Sequence, residues 1–259
     1  MKDTLSRYLP RFAVALVLLA PAHVDVGATE VAQGPSASAP TRNIVETEKN
    51  LYSRDKEETI IRDFFQDRRG GVFLDVGAWH PIQASNTYYL EHHLAWTGIA
   101  IDALKEMAPR WKRNRPASRF LNYIVTDEAG ALKPFFRVEF TDISAVTKPK
   151  RGPGGKPVAS TAVMVPTITL TKALDDQGIK KIDLLSMDIE GSEMPALAGF
   201  DIDRFHPALV CVESKPKNRE ALRAYFKGHG YHQIEKYLKY DTANWYFTPA
   251  SAPAQPPKG

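Results

Sequence analysis

From Val72 onward the chain alternates short apolar runs with amphipathic segments of helical spacing. VFLDV at 72–76, IAIDA at 99–103, RFLNYIV at 119–125, IDLLSMDIEG at 182–191 and ALVCVES at 208–214 are aliphatic runs with little polar alternation. Such runs predict strands buried on both faces. Between them, residues 85–96, about 104–113, 171–177 and 218–227 carry apolar positions at helical spacing and predict helices. Ahead of the first strand, Ile60, Ile61, Phe64 and Phe65 stand among charges and predict a leading helix ended by Gly70 and Gly71. KPFFRVE at 133–139 alternates like an extra strand, and VMVPTITL at 163–170 resumes order after TKPKRGPGGKP, which is too rich in Pro and Gly for regular structure. HQIEKYL at 232–238 and NWYFT at 244–248 flank a short polar turn and predict a hairpin at the sheet edge. Together these elements define an α/β fold, a Rossmann-like, doubly wound, mostly parallel sheet with helices on both faces.

The ends of the chain differ from this pattern. Lys2, Arg7 and Arg11 precede an apolar run at 12–20, and small residues follow. That is the layout of a secretory signal peptide, assigned to residues 1–28 with cleavage after Ala22 or Ala28. Pro21, His23 and Asp25 interrupt the run before it is long enough to span a bilayer, so no stable transmembrane helix is expected after cleavage. Residues 29–50 read as a flexible linker, 51–249 as the folded domain and 250–259 as a disordered tail. The expected location is periplasmic or extracellular, or cytoplasmic if the start codon is misassigned. Composition narrows the picture further. A hydrophobic fraction of 43% is enough to build a core, and a net charge of +4 implies no nucleic-acid partner. The single cysteine, Cys211, lies in an apolar run and rules out an intrachain disulfide and any cysteine metal cluster.

Ligands of open α/β sheets bind at the carboxyl ends of strands, where strand order reverses. That rule selects residues 75–81, Asp102, Asp127, the segment 188–193 and Glu213. Gly77 in the turn D-V-G-A permits close backbone approach, with Asp75 and Ala78 beside it. Asp102, about one βαβ unit after Asp75, is placed to accept ribose hydroxyls, although each of these residues also serves as an ordinary turn or cap. The stretch G-A-W-H-P-I has one glycine and offers no pyrophosphate cradle for a nicotinamide dinucleotide. Asn122 and Asp127 flank the end of the third strand and fall near an adenine by position alone. Asp188 and Glu190 are the catalytic candidates, as proton acceptors or as oxygen ligands of a divalent cation, with Glu213 in reserve. Glu190 and Glu193 have an ordinary alternative reading as acids capping the next helix, and Ser85, Asn86 and Thr87 read as caps first and substrate contacts second. His80 could act as a base or pack beside a ligand, whereas His92 and His93 lack zinc spacing with a third ligand, so no metal site is assigned. Lys148, Lys150, Arg151 and Lys156 form a solvated basic loop or a lid for an anionic acceptor.

FLDVGAWHPIQASNTYYLE, then WTGIAID, then IDLLSMDIEGSEMPALAGF resemble the successive signatures of the FkbM family of S-adenosylmethionine-dependent methyltransferases, over roughly 71–214. The resemblance implies a class I methyltransferase sheet of seven strands with an antiparallel seventh, S-adenosylmethionine as cofactor, and O-methylation of a sugar or small-metabolite hydroxyl. It assigns Asp75, Gly77 and Ala78 to the first cofactor motif, Asp102 to the ribose, and Asp188, Glu190 and Gly191 to the motif after the fourth strand. Two departures stand out. His80-Pro81 replace a polar residue and glycine in the cofactor turn, and Ala103-Leu104 replace the more usual Pro-Asn beside the adenine. An exported domain would lie apart from a cofactor made inside cells. A second reading is therefore an exported domain that binds a carbohydrate or metabolite on this fold without methylating it.

Overall fold

The computed structural model describes residues 41–138 and 160–250. The signal peptide, most of the linker, the basic loop and the tail beyond residue 250 lie outside the described residues. A seven-stranded sheet runs in the order β3 (Ser118–Asn122), β2 (Thr97–Asp102), β1 (Val72–Val76), β7 (Leu184–Met187), β8 (Leu209–Glu213), β10 (Asn244–Pro249) and β9 (Tyr231–Gln233). The strands from β3 to β8 pair in parallel, and β10 is antiparallel to both β8 and β9. Strand order therefore reverses between β1 and β7, which fixes where a ligand cleft opens.

The apolar runs are buried on both faces because successive side chains point to opposite sides. Leu74 and Val76 of β1 join Ile99, Ile101, Leu185, Val210 and Phe226 in one core. Phe73, Leu184, Leu209, Cys211 and Tyr246 join Ile60, Ile61, Leu90 and Trp96 in the other. Helices α3 (Tyr88–Leu94), α4 (Ala108–Asn114), α5 (Leu170–Asp176), α6 (Glu193–Ala198), α7 (Ile202–Phe205) and α8 (Arg219–Gly228) follow the strands, and no described helix is long and apolar enough to cross a membrane.

Four expectations are corrected. The segment 29–50 is not linker throughout, because α1 (Ile44–Thr47) lies within it. Ile44 is fully buried, and its N–H donates to Asp63 of α2 (Glu57–Phe65). The leading helix ends at Gln66 in a left-handed conformation, before the two glycines. The run at 119–125 is two strands in two sheets: β3 stops at Asn122, and β4 (Ile124–Val125) pairs with β6 (Ser160–Ile168), which in turn pairs with β5 (Leu132–Val138). The edge hairpin has short arms, since a 3₁₀ turn at Glu235–Tyr237 follows β9. Tyr237 drives that turn inward, fully buried with its hydroxyl donating to Asp63 at 2.8 Å.

Candidate active site

The cleft opens at the carboxyl ends of β2, β1, β7 and β8. Three strand spacings of about 4.8 Å separate Asp102, at the end of β2, from Glu213, at the end of β8, so the rim is roughly 14 Å long. Asp102 is buried. Its two carboxylate oxygens accept from Trp79 N and Leu104 N, each at 2.8 Å. The capping role and a ligand role coexist here, because each oxygen retains a lone pair and the residue lines the cleft. Burial holds its carboxyl above the usual range. Beside it, Ala103, Leu104, Ile124 and Phe135 form an apolar wall, so the pair replacing Pro-Asn packs as a greasy surface suited to an aromatic ring.

The turn after β1 is built by strain and buried charge. Gly77 has φ +80°, and a Cβ there would stand 1.8 Å from the Asp188 carbonyl oxygen. Glycine is thus demanded by the crossing of the chain's own β1 and β7 ends, not only by a ligand. Trp79 (φ +37°) and Ala84 (φ +52°) also occupy the left-handed region, which costs roughly 1–2 kcal/mol per non-glycine residue. His80 holds the turn between them: its Nδ1 accepts from Ile82 N and Gln83 N, and burial pushes its pKa down, keeping the ring neutral. It therefore shapes the loop through its ring nitrogen and does not line the cleft. His92 and His93 are both exposed; His92 stacks on Tyr88, and His93 packs at a tilt against Tyr89.

Arg115 was not singled out from the sequence, yet it anchors this turn. It is fully buried, pairs with Glu91 at 2.6 Å, and donates to Pro81 O, Ser85 Oγ, Thr87 O and Thr87 Oγ1. Thr87 Oγ1 in turn donates to Asp75 at 2.6 Å, and burial raises the Asp75 carboxyl to about 6. Ser85 accepts from Tyr88 N as a cap, while Asn86 reaches Ser186 Oγ on the cleft floor.

At the other end of the rim, the carboxylates of Asp188, Glu190 and Glu213 converge, with oxygens within 4.8 Å of one another. The strand stops at Met187. Glu190 (φ +57°) and Gly191 (φ +94°) then make consecutive left-handed turns that bring Glu190 back toward Asp188. Glu193 closes this turn ahead of its helix, accepting from Ile189 N and Gly191 N and held by Asn218. Lys215, unremarked in the sequence, sits against Glu190 and 3.2 Å from Glu213. Asp188 is open to the cleft yet surrounded by protein. Desolvation, then Glu190, raises its carboxyl to about 6. Glu213 rises to about 8 through burial and the Asp188 charge, and its Oε2 has no hydrogen-bond partner among the described residues.

Asn122 and Asp127 are corrected. Asn122 folds back to donate to the Asp102 carbonyl, and Asp127 is exposed and accepts from Thr126. Neither lines the cleft, whose third-strand side is made by Tyr123, Ile124 and Val125. Asp75, Gly77, Ala78, Asp102, Asp188 and Glu190 all do.

A parallel sheet reversing between β1 and β7, with one antiparallel strand inserted beside its last, is the class I methyltransferase fold. The profile described as the methyltransferase FkbM domain matches residues 75–239, and the chain belongs to that family. It is accordingly a methyltransferase that uses S-adenosylmethionine. Among solved structures it is similar to a TehB-like S-adenosylmethionine-dependent methyltransferase from Corynebacterium glutamicum, with 13% identity, coverage of 80% of this chain and 92% of that one, and a TM-score of 0.44. It is also similar to precorrin-6y C5,15-methyltransferase from Geobacter metallireducens (10% identity, coverage 81% and 97%, TM-score 0.42). A third is a methyltransferase from Thiobacillus denitrificans in complex with S-adenosyl-L-homocysteine (10% identity, coverage 77% of each chain, TM-score 0.34). No curated protein matches the chain.

The residues fit the cofactor. The apolar wall suits the adenine, the free lone pairs of Asp102 suit the ribose hydroxyls, and the acidic rim suits a sulfonium cation.

Proposed function

We propose that this protein methylates a hydroxyl oxygen of a sugar or small metabolite, with Asp188 as general base and Glu190 orienting the acceptor. The convergence of Asp188, Glu190 and Glu213 on the rim that also carries Asp102 supports this reading. When bound, S-adenosylmethionine supplies a methyl group on a cationic sulfonium. Displacement is in line, so the protein must align the acceptor and take its proton as the bond forms. Asp188 faces the cleft and is largely ionised at neutral pH, so it accepts that proton. Glu190, fixed by Lys215, accepts a hydrogen bond that aims the hydroxyl. Glu213 is mostly protonated at neutral pH and holds Lys215 from the other side.

The test is methyl transfer to a panel of saccharides and small alcohols, followed by turnover of Asp188→Asn and Glu190→Gln on the best acceptor. Loss of a general base lowers kcat by about 10²–10⁴, with affinity for S-adenosylhomocysteine preserved. Full turnover by Asp188→Asn removes that residue from the mechanism. An exported location belongs to the same proposal, on the Lys2, Arg7, Arg11 and 12–20 layout. N-terminal sequencing of the protein from fractionated cells tests it, and an intact Met1 in the cytoplasmic fraction refutes it.

A further inference from the structure

The rim has a match for the adenine, the ribose and the sulfonium, but S-adenosylmethionine also ends in an α-carboxylate. Asp75, Asp102, Asp188, Glu190 and Glu213 crowd the cleft with negative charge. An anion placed among them without a counter-charge is repelled. Among the described residues that line the cleft, Arg54 is the one Lys, Arg or His. It precedes residues 75–239, so the region matched to the family contributes no described cation to the lining.

The chain holds Arg54 at the cleft by fastening the backbone on both sides of it. Ahead of it, Asn50 Nδ2 donates to Ser53 O and Ser53 Oγ donates to Asn50 Oδ1, each at 2.7 Å. The fully buried Glu58 accepts from Tyr52 N at 2.9 Å and donates its own N–H to Ser53 Oγ at 3.0 Å. Behind it, Asp55 N donates to Glu57 Oε2 at 2.8 Å, and Glu57 Oε1 accepts from Asn244 at the start of β10. Arg54 itself is exposed, so its backbone is set while the guanidinium stays at the open edge. Its charge reaches the Asp188 carboxyl and opposes the rise that burial causes there. Arg54 therefore stands toward the end of β7, two strand spacings or roughly 10 Å from the ribose acid Asp102. With the adenine on the apolar wall to one side of Asp102, the homocysteine chain runs in this direction.

We propose that Arg54 receives the α-carboxylate of S-adenosylmethionine and so fixes the amino-acid end of the cofactor. A guanidinium presents paired N–H donors in the plane of a carboxylate, whereas a lysine offers a point charge. The same contact neutralises the cofactor's one negative group on a rim that otherwise repels it.

Isothermal titration of the full chain with S-adenosylhomocysteine and with 5′-methylthioadenosine reads this contact without turnover, so it stands apart from the acceptor proposal. The second ligand keeps the adenosine and the sulfur but lacks the amino-acid end. Arg54→Met is expected to weaken S-adenosylhomocysteine by about ten- to a hundredfold, the loss of hydrogen bonds between charged groups, and to leave 5′-methylthioadenosine unchanged. Retained binding of 5′-methylthioadenosine also verifies that the variant is folded. Arg54→Lys should recover part of the loss, and the recovered part should shrink with added salt. Equal weakening of both ligands overturns the inference, because Arg54 then only shapes the cleft. Wild-type affinity of Arg54→Met for S-adenosylhomocysteine overturns it as well, and leaves the guanidinium to an anionic group on the acceptor.

Discussion

Replacing Asp102 by alanine separates its two duties. In the folded chain its oxygens accept two backbone N–H groups at 2.8 Å, from Trp79 in the cofactor turn and Leu104 in the following loop. Hydrogen bonds to a charged group contribute about 1.5–3 kcal/mol each. Part of that is returned because burial already opposes the ionised form. The net loss of stability is expected at about 2–4 kcal/mol. Two ribose hydroxyls bound at the same carboxylate are together worth at least about 3 kcal/mol, which is roughly a hundredfold in Kd. Isothermal titration of S-adenosylhomocysteine into the full chain reads the second quantity and urea denaturation the first. Asp102→Asn is the companion variant: it keeps one acceptor oxygen but aims an amide N–H at a backbone N–H. It should fall between wild type and alanine in stability while losing most of the affinity. A folded Asp102→Ala protein that binds with the wild-type Kd refutes the ribose assignment, whatever its stability.

Arg115→Met leaves the Glu91 carboxylate buried without its guanidinium and frees the 81–87 turn, at an expected cost of about 3–5 kcal/mol. A shift of the urea midpoint equivalent to less than about 1 kcal/mol would show that the turn does not depend on this residue. Turnover should rise as pH climbs through about 6, where Asp188 ionises. Glu190→Gln removes a charge that raises Asp188 and moves this limb to lower pH, and Lys215→Met removes one that lowers Asp188 and moves the limb higher. Limbs that coincide in all three proteins would refute the electrostatic coupling. Asp75, Asp188 and Glu213 all bind protons more tightly in the folded chain than in the unfolded one. Their stabilising contribution is present below the ordinary carboxylate range and is lost as pH climbs through about 6 and 8, so the melting temperature should fall over that window.

The parallel core was legible because each strand is an unbroken apolar run, and only burial on both faces explains such runs. The rim acids were legible for the same reason, since Asp75, Asp102 and Asp188 interrupt or end runs where a charge is otherwise costly. What escaped depends on contacts between distant positions. Arg115 lies in K-R-N-R-P-A-S, which reads as a solvated stretch, and its partners are 24–34 residues away along the chain. Lys215 follows a strand end where lysines are common, and only the fold brings Glu190 to it. Asn122 misled because position at a strand end does not say which way the side chain turns. The break at Tyr123, which sends the chain into a second sheet, left no apolar gap to mark it.

The same crossing also explains why the site is strained. A reversal of strand order forces the chain ends after β1 and β7 to diverge, and here they part so closely that Gly77 touches the Asp188 carbonyl. Non-glycine residues at positive φ on the rim, Trp79, Ala84 and Glu190, all lie in the loops that leave this point. Loops free to relax would leave that geometry. Arg115 on one side and the Lys215–Glu190–Glu213 cluster with the Glu193 cap on the other hold them in it. Buried charge thus offsets backbone strain, and the result is a rim whose carboxylates stay within hydrogen-bonding reach of a shared ligand before it arrives. This pre-organisation lowers the ordering cost of binding, and it makes affinity for the cofactor sensitive to Arg115 even though that side chain lies outside the cleft.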